Sequence, residues 1–125
     1  MIRESLLVKT SEVSQVYLLT DENVAPLWLS ETKKRLGVEK AVEIIIKPGE
    51  QYKNLQTVQQ IWETLIEHHA DRNALLVNLG GGVVTDLGGF AASTFKRGIN
   101  FINIPTTLLT MVDASVGGKT GINFG

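Results

Sequence analysis

Apolar runs rich in branched residues alternate along this chain with stretches of helical period. Residues 16–20 form the first such run and read as a strand. Asp21, Glu22 and Asn23 then supply a cap for a helix over residues 24–36. Pro26 is tolerable there only because it falls in the first turn, and Gly37 marks the helix stop. Residues 42–46 are a second β-branched run, closed by Pro48 and Gly49. Over residues 54–69, Leu55, Val58, Ile61, Trp62, Leu65 and Ile66 recur at helical spacing, the clearest amphipathic helix in the chain. Residues 74–79 read as a continuous apolar run, the pattern of a buried parallel strand, ending in Gly80, Gly81 and Gly82. Helical period returns over residues 83–95, with Val83, Val84, Leu87, Phe90 and Ala91 on one face. Residues 101–104 are a further strand, stopped by Pro105, and residues 106–115 are predicted helical. An additional strand is predicted over residues 4–9.

Strands alternating with helices imply βαβ units, so the fold class is α/β, a Rossmann-like and mostly parallel sheet with helices on both faces. Residues 1–125 suffice for one domain. In such sheets ligands bind beyond the carboxyl ends of the strands. The loops beginning at Asp21, Pro48, Gly80 and Pro105 are therefore the ones expected to carry a site.

Composition narrows the partners. Hydrophobic residues make up 43% and charged residues 20%, as in a globular protein, and the formal net charge of -1 argues against a basic nucleic-acid surface. The absence of cysteine excludes disulfides and thiolate metal sites. Arg3, Glu4 and Lys9 interrupt the N-terminus, unlike a signal peptide. No run reaches the roughly 18 apolar residues of a membrane span, so a cytoplasmic location and no membrane partner are expected. The last residues, from Gly121 to Gly125, have the composition of a connecting loop, so a piece of a longer chain is expected.

Gly80-Gly81-Gly82 follows a predicted strand and opens a predicted helix, where free N–H groups and the positive end of the helix dipole favour phosphate. The dinucleotide fingerprint G-x-G-x-x-G fails at Thr85, and no acidic residue follows at about 20 positions to hold a ribose. The alternative reading is a tight turn without a ligand. Gly88 and Gly89 lie inside the next helix, where each costs about 1 kcal/mol against alanine, so close packing against a strand is expected. Asp86 could favour the helix dipole or meet a nicotinamide or ribose group. Gly117-Gly118-Lys119-Thr120 resembles the end of a P-loop, but Asp113 stands where that motif needs glycine. Lys119 then reads as a polar-substrate contact beside Asp113 and Ser115, or as a solvated loop lysine. His68 and His69 point about 100° apart on a helix and cannot share a metal. No metal site is expected in this chain.

The ordered motifs are more specific than any one glycine loop. Gly80-Gly-Gly-Val-Val-Thr-Asp86, Gly89-Phe-Ala-Ala, Arg97-Gly98, Pro105-Thr-Thr-Leu-Leu109 and Asp113-Ala-Ser-Val-Gly-Gly-Lys-Thr-Gly121 closely resemble the 3-dehydroquinate synthase family. Pro48-Gly49-Glu50, Lys53 and Asp21-x-Asn23 match as well. The resemblance implies an N-terminal NAD-binding domain of a shikimate-pathway enzyme that converts 3-deoxy-D-arabino-heptulosonate 7-phosphate to 3-dehydroquinate and phosphate. It implies catalytic NAD, a divalent metal (zinc or cobalt) and a homodimer. It implies that Asp21 and Asn23 lie near the adenosine end, that Glu50 and Lys53 meet the cofactor riboses, and that Gly81, Gly82 and Val83 meet its pyrophosphate. Asp86, Thr106, Thr107 and Leu109 would line the nicotinamide side, Asp113 and Lys119 would reach the sugar-phosphate substrate, and Arg97 would reach the substrate phosphate of the partner subunit.

Two departures qualify this. Ala114 stands where the family often has serine. The C-terminal helical domain that supplies the metal ligands, one Glu and two His, is absent, so no turnover is expected from these residues alone. Other readings are a related sugar-phosphate cyclase, an iron-type alcohol or glycerol dehydrogenase, and a nucleotide-binding module without chemistry.

Overall fold

The computed structural model describes residues 13–107. Four parallel strands form one sheet: β1 (Val16–Asp21), β2 (Val42–Ile46), β3 (Leu75–Leu79) and β4 (Asn100–Ile104), in the spatial order β2-β1-β3-β4. Tyr17 stands opposite Val42 on one side and Leu76 on the other, and Leu76 stands opposite Phe101, which fixes the register across the sheet.

Helices cover both faces, as the alternation of apolar runs predicts. Beyond β1 the chain enters a five-residue π-helical stretch, Ala25–Leu29, that continues as α1 (Ser30–Leu36). Pro26 falls in its first turn and so deletes no helical hydrogen bond. Gly37 ends α1 at φ 71°, in the left-handed region. A 3-10 turn, Glu50–Tyr52, follows β2, and α2 (Leu55–Glu67) and α3 (Gly82–Thr94) follow in sequence.

Strand alternation divides the core into two layers. Tyr17, Leu19, Ile44, Ile46 and Leu76 pack against Val58, Ile61 and Leu65 of α2 and Val84, Leu87 and Ala91 of α3. Leu18, Leu75, Val77, Leu79 and Ile104 pack on the other face against Leu29 and Leu36. Every residue of β3 is buried, as expected for a central strand covered on both sides. The Trp62 indole N–H donates to the Ala91 carbonyl at 3.2 Å and ties α2 to α3.

The apolar stripes read from spacing alone are narrower than expected. On α2, Leu55 and Ile66 are exposed at 58% and 60%, and on α3 Phe90 is exposed at 52%. All three lie at the margin of their stripe, where a 3.6-residue period drifts off the contact line with the sheet. Residues 74–79 also depart from a purely apolar run, because Asn78 is a fully buried polar side chain within it. The predicted strand over residues 4–9 lies outside the described residues. Of the helix predicted over residues 106–115, Thr106 and Thr107 are helical and the remainder lies outside them.

Candidate functional site

The strand order reverses between β1 and β3, because β2 lies on one side of β1 while β3 and β4 lie on the other. Such a reversal opens a crevice at the carboxyl ends of the two strands. Pairing between β1 and β3 stops at Leu19 and Asn78. Pairing of β1 with β2 continues to Asp21 and Ile46, and that of β3 with β4 to Leu79 and Ile104. The two central strands thus separate before their outer pairings end. The buried Thr20 hydroxyl bridges the gap, donating to the Leu79 carbonyl at 2.7 Å.

Gly80 leaves β3 at φ 154°, and its N–H donates to the Ile104 carbonyl at 3.1 Å. A Cβ there would stand 2.9 Å from a Val84 methyl. Gly81 and Gly82 differ from it: neither has a positive φ, and an added Cβ would meet nothing within 4 Å. Nothing among the described residues requires glycine at these two positions. Their bare backbone instead leaves the start of α3 open. Gly81 is its N-cap and no side chain caps it, so the first-turn N–H groups face the crevice without an intrahelical acceptor. That arrangement suits an anion such as a phosphate or pyrophosphate, and the residues present fit the phosphates of a dinucleotide.

Asp21 builds the loop after β1 from its own side chain. Oδ1 accepts the backbone N–H groups of Asn23 at 2.9 Å and Val24 at 2.8 Å. Beyond β2, the loop carries Glu50 and Lys53 toward α3. Lys53 Nζ lies 2.8 Å from Asp86 Oδ2. The hydrogen bond to Asp86, then the charges of Asp86 and Glu50, hold the Lys53 ammonium above its usual pKa. Both partners are exposed, so the pair orients the two side chains and contributes little to stability. An open groove of about 480 Å³ lies beside it between α2 and α3, lined by Lys53, Leu55, Val58, Asp86, Leu87 and Phe90. A larger hollow of about 650 Å³, bounded by Val13, Val16, Gly37 and Ala41, sits near the amino ends of β1 and β2, away from the crevice.

Asn78 is a residue that the sequence reading does not single out. Its Nδ2 donates to Asn103 Oδ1 at 3.0 Å, and the two asparagines are register partners on β3 and β4. Its Oδ1 is buried with no hydrogen-bond partner among the described residues, a condition that costs about 1–3 kcal/mol. A Cβ at Gly88 would overlap this amide, and one at Gly89 would touch the Phe101 ring at 3.4 Å. The two helix glycines therefore serve close packing on the sheet, as their cost in helix propensity predicts. A polar residue inside an apolar strand is the signal in the sequence that could have found Asn78.

The fold gathers Asp21, Asn23, Glu50, Lys53, Gly81, Gly82, Val83, Asp86, Thr106 and Thr107 on the loops and helix starts at the carboxyl edge of the sheet. Arg97 lies on the turn between α3 and β4, at the amino edge, so it is not brought to the crevice of its own chain. Leu109, Asp113 and Lys119 lie outside the described residues. Among those described, no group of three His, Cys, Asp or Glu side chains is placed to hold a metal ion, and no helix is long and apolar enough to cross a membrane.

A parallel sheet with a glycine turn and an uncapped helix start at its point of strand reversal defines an α/β domain of the nucleotide-binding class. Residues 43–125 match the family model described as 3-dehydroquinate synthase N-terminal, and the chain belongs to that family. It is 52% identical over 110 residues to the 3-dehydroquinate synthase of Psychrobacter arcticus, covering 87% of this chain and 28% of that protein. It therefore spans about a third or less of the length of such relatives. Among solved structures, a 2-deoxy-scyllo-inosose synthase complexed with carbaglucose-6-phosphate, NAD+ and Co2+ is similar at TM-score 0.72 and 30% identity, over 84% of this chain and 30% of that one. A 2-epi-5-epi-valiolone synthase from Streptomyces hygroscopicus with NAD+ and Zn2+ bound is similar at TM-score 0.64 and 32% identity, over 91% of this chain and 33% of that one.

Proposed function

We propose that this chain is the NAD-binding portion of an enzyme that converts 3-deoxy-D-arabino-heptulosonate 7-phosphate to 3-dehydroquinate and phosphate. The observation that carries the reading is the location of the family match: residues 43–125 include the glycine turn, the Lys53–Asp86 pair and the start of the loop after β4. NAD supplies reversible hydride transfer when bound. The chain's own residues hold it. The N–H groups at Gly81, Gly82 and Val83 orient the pyrophosphate, Glu50 and Lys53 hold ribose hydroxyls, and Asp86 with Thr106 and Thr107 borders the reactive end. Asp21 and Asn23 border the adenosine end, and Leu109 packs beside the nicotinamide.

Asp113 and Lys119 bind the substrate, and Arg97, on the opposite edge of the sheet, serves the substrate phosphate of a second subunit in a homodimer. A divalent metal, zinc or cobalt, belongs to the same reading, since the two similar cyclases were solved with Co2+ and Zn2+ bound. The location is cytoplasmic. The protein's own role in the chemistry is to fix cofactor and substrate in one mutual orientation.

The chain extended to the length of its relatives, supplied with the heptulosonate phosphate, NAD and zinc, is expected to release phosphate and yield 3-dehydroquinate, read by product mass and chromatography. These 125 residues alone are expected to bind NAD without turnover. A different carbocycle would assign the protein to another sugar-phosphate cyclase, the class to which the two similar solved structures belong. NAD binding without turnover in the extended chain would leave a binding module.

A further inference from the structure

We infer that Asn78 is a positioning residue, and that its contact with Gly88 sets how closely α3 approaches the sheet and so where the Gly81 and Gly82 amides stand. The inference rests on the NAD-binding reading for its ligand but on packing for its geometry. Asn78 is fully buried in β3, two residues before Gly80. Its side chain is held from one side by Asn103, its register partner on β4, through the 3.0 Å amide hydrogen bond. Held that way, the amide turns its oxygen toward α3, where Gly88 leaves no room for a methyl. Gly88 lies six residues into α3, about 9 Å along the helix from its start. A shift of the helix axis at this point is transmitted to the first turn, because a hydrogen-bonded helix moves as a rigid element.

An apolar side chain of similar size would fill the same space without a buried, unpartnered oxygen. What the asparagine adds is a fixed rotamer: its hydrogen bond to Asn103 leaves one position for the atoms that face Gly88. The spacing between helix and strand is then set by a directional bond rather than by a side chain free to repack. Gly89 against the Phe101 ring makes a second close approach on the neighbouring strand. Together they seat the middle of α3 on β3 and β4 while its first turn overhangs the crevice.

The test is a double-mutant cycle of Asn78→Ala, Gly88→Ala and the pair together in the 125-residue chain. Three quantities are measured where each variant is folded: melting temperature, the amide chemical shifts of Gly81 and Gly82, and the NAD dissociation constant by calorimetry. Gly88→Ala is expected to shift both amides and weaken NAD by about tenfold, in line with the sensitivity of bound geometry to sub-ångström displacement. In the double variant the new methyl occupies the space vacated by the amide. Its amide shifts are expected to return toward wild type, and its NAD affinity to within about threefold. Lowered melting temperatures with unchanged amide shifts would reduce Asn78 to a core residue and overturn the inference, as would purely additive changes in the double variant. If Gly88→Ala does not fold, Asn78→Ala alone decides by whether the two glycine amides move. If the wild-type chain does not bind NAD, the proposed function fails, while the amide shifts, which need no ligand, still decide the positioning role.

Discussion

At Gly80 the backbone stands at φ 154° and a Cβ would press on Val84 at 2.9 Å. At Gly81 φ is -84° and the space is open. Two neighbouring glycines therefore answer to different demands: the fold requires the first, and the proposed cofactor site accounts for the second. Gly80→Ala is expected to destabilise the chain by about 1–3 kcal/mol, the range for a side chain held in a disfavoured backbone region, measured by thermal or denaturant unfolding. Gly81→Ala is expected to stay within about 0.5 kcal/mol of wild type while weakening NAD, since its methyl would stand over the N–H groups proposed to meet the pyrophosphate. Equal stability losses at the two positions would contradict this division. The sequence shows three glycines in a row and cannot rank them, because the ranking depends on which one turns the chain out of β3 and what lies beyond each.

Among the elements, α2 shows how a local signal and a tertiary one combine. Asn54 accepts the Thr57 N–H at 3.0 Å and the Thr57 hydroxyl at 3.2 Å, closing the first turn. Asn54→Ala is expected to cost about 1 kcal/mol, read as a lower denaturation midpoint with an unchanged denaturant slope. A cap is legible in sequence because it spans one turn. The exposure of Leu55, Ile66 and Phe90 is not legible, since each has the right spacing but stands at the edge of a stripe whose width the neighbouring strand decides. The π-helical start of the first helix is equally hidden. Its pattern of apolar residues is compatible with an α-helix, and nothing in Ala25–Leu29 other than Pro26 marks a change of turn.

For the molecule as a whole, the carboxyl edge works as one surface built from separated segments. Asp21, Lys53, Gly81 and Thr106 belong to four different strand–loop units, and only the parallel sheet aligns their loops. A ligand spanning them should stabilise the fold by linkage. At NAD concentrations of 100 times the dissociation constant the gain is about 2.7 kcal/mol, expected as a rise in melting temperature that grows with the logarithm of NAD concentration. A flat response at saturating NAD would separate the family's fold from its cofactor site in this chain.

Periodicity, turn residues and glycine chemistry act over a few neighbours, so the sequence by itself determined the strands at residues 16–20, 42–46, 74–79 and 101–104, the helices between them and the glycine turn at the end of the third strand. It also determined that Gly88 and Gly89 needed a packing reason, because their cost is local. Only the tertiary structure decided that the reason is Asn78 and Phe101, that Lys53 pairs with Asp86, and that Arg97 lies away from the crevice. Those relations join segments far apart in the chain, and they exist only once strand order and register bring the segments together.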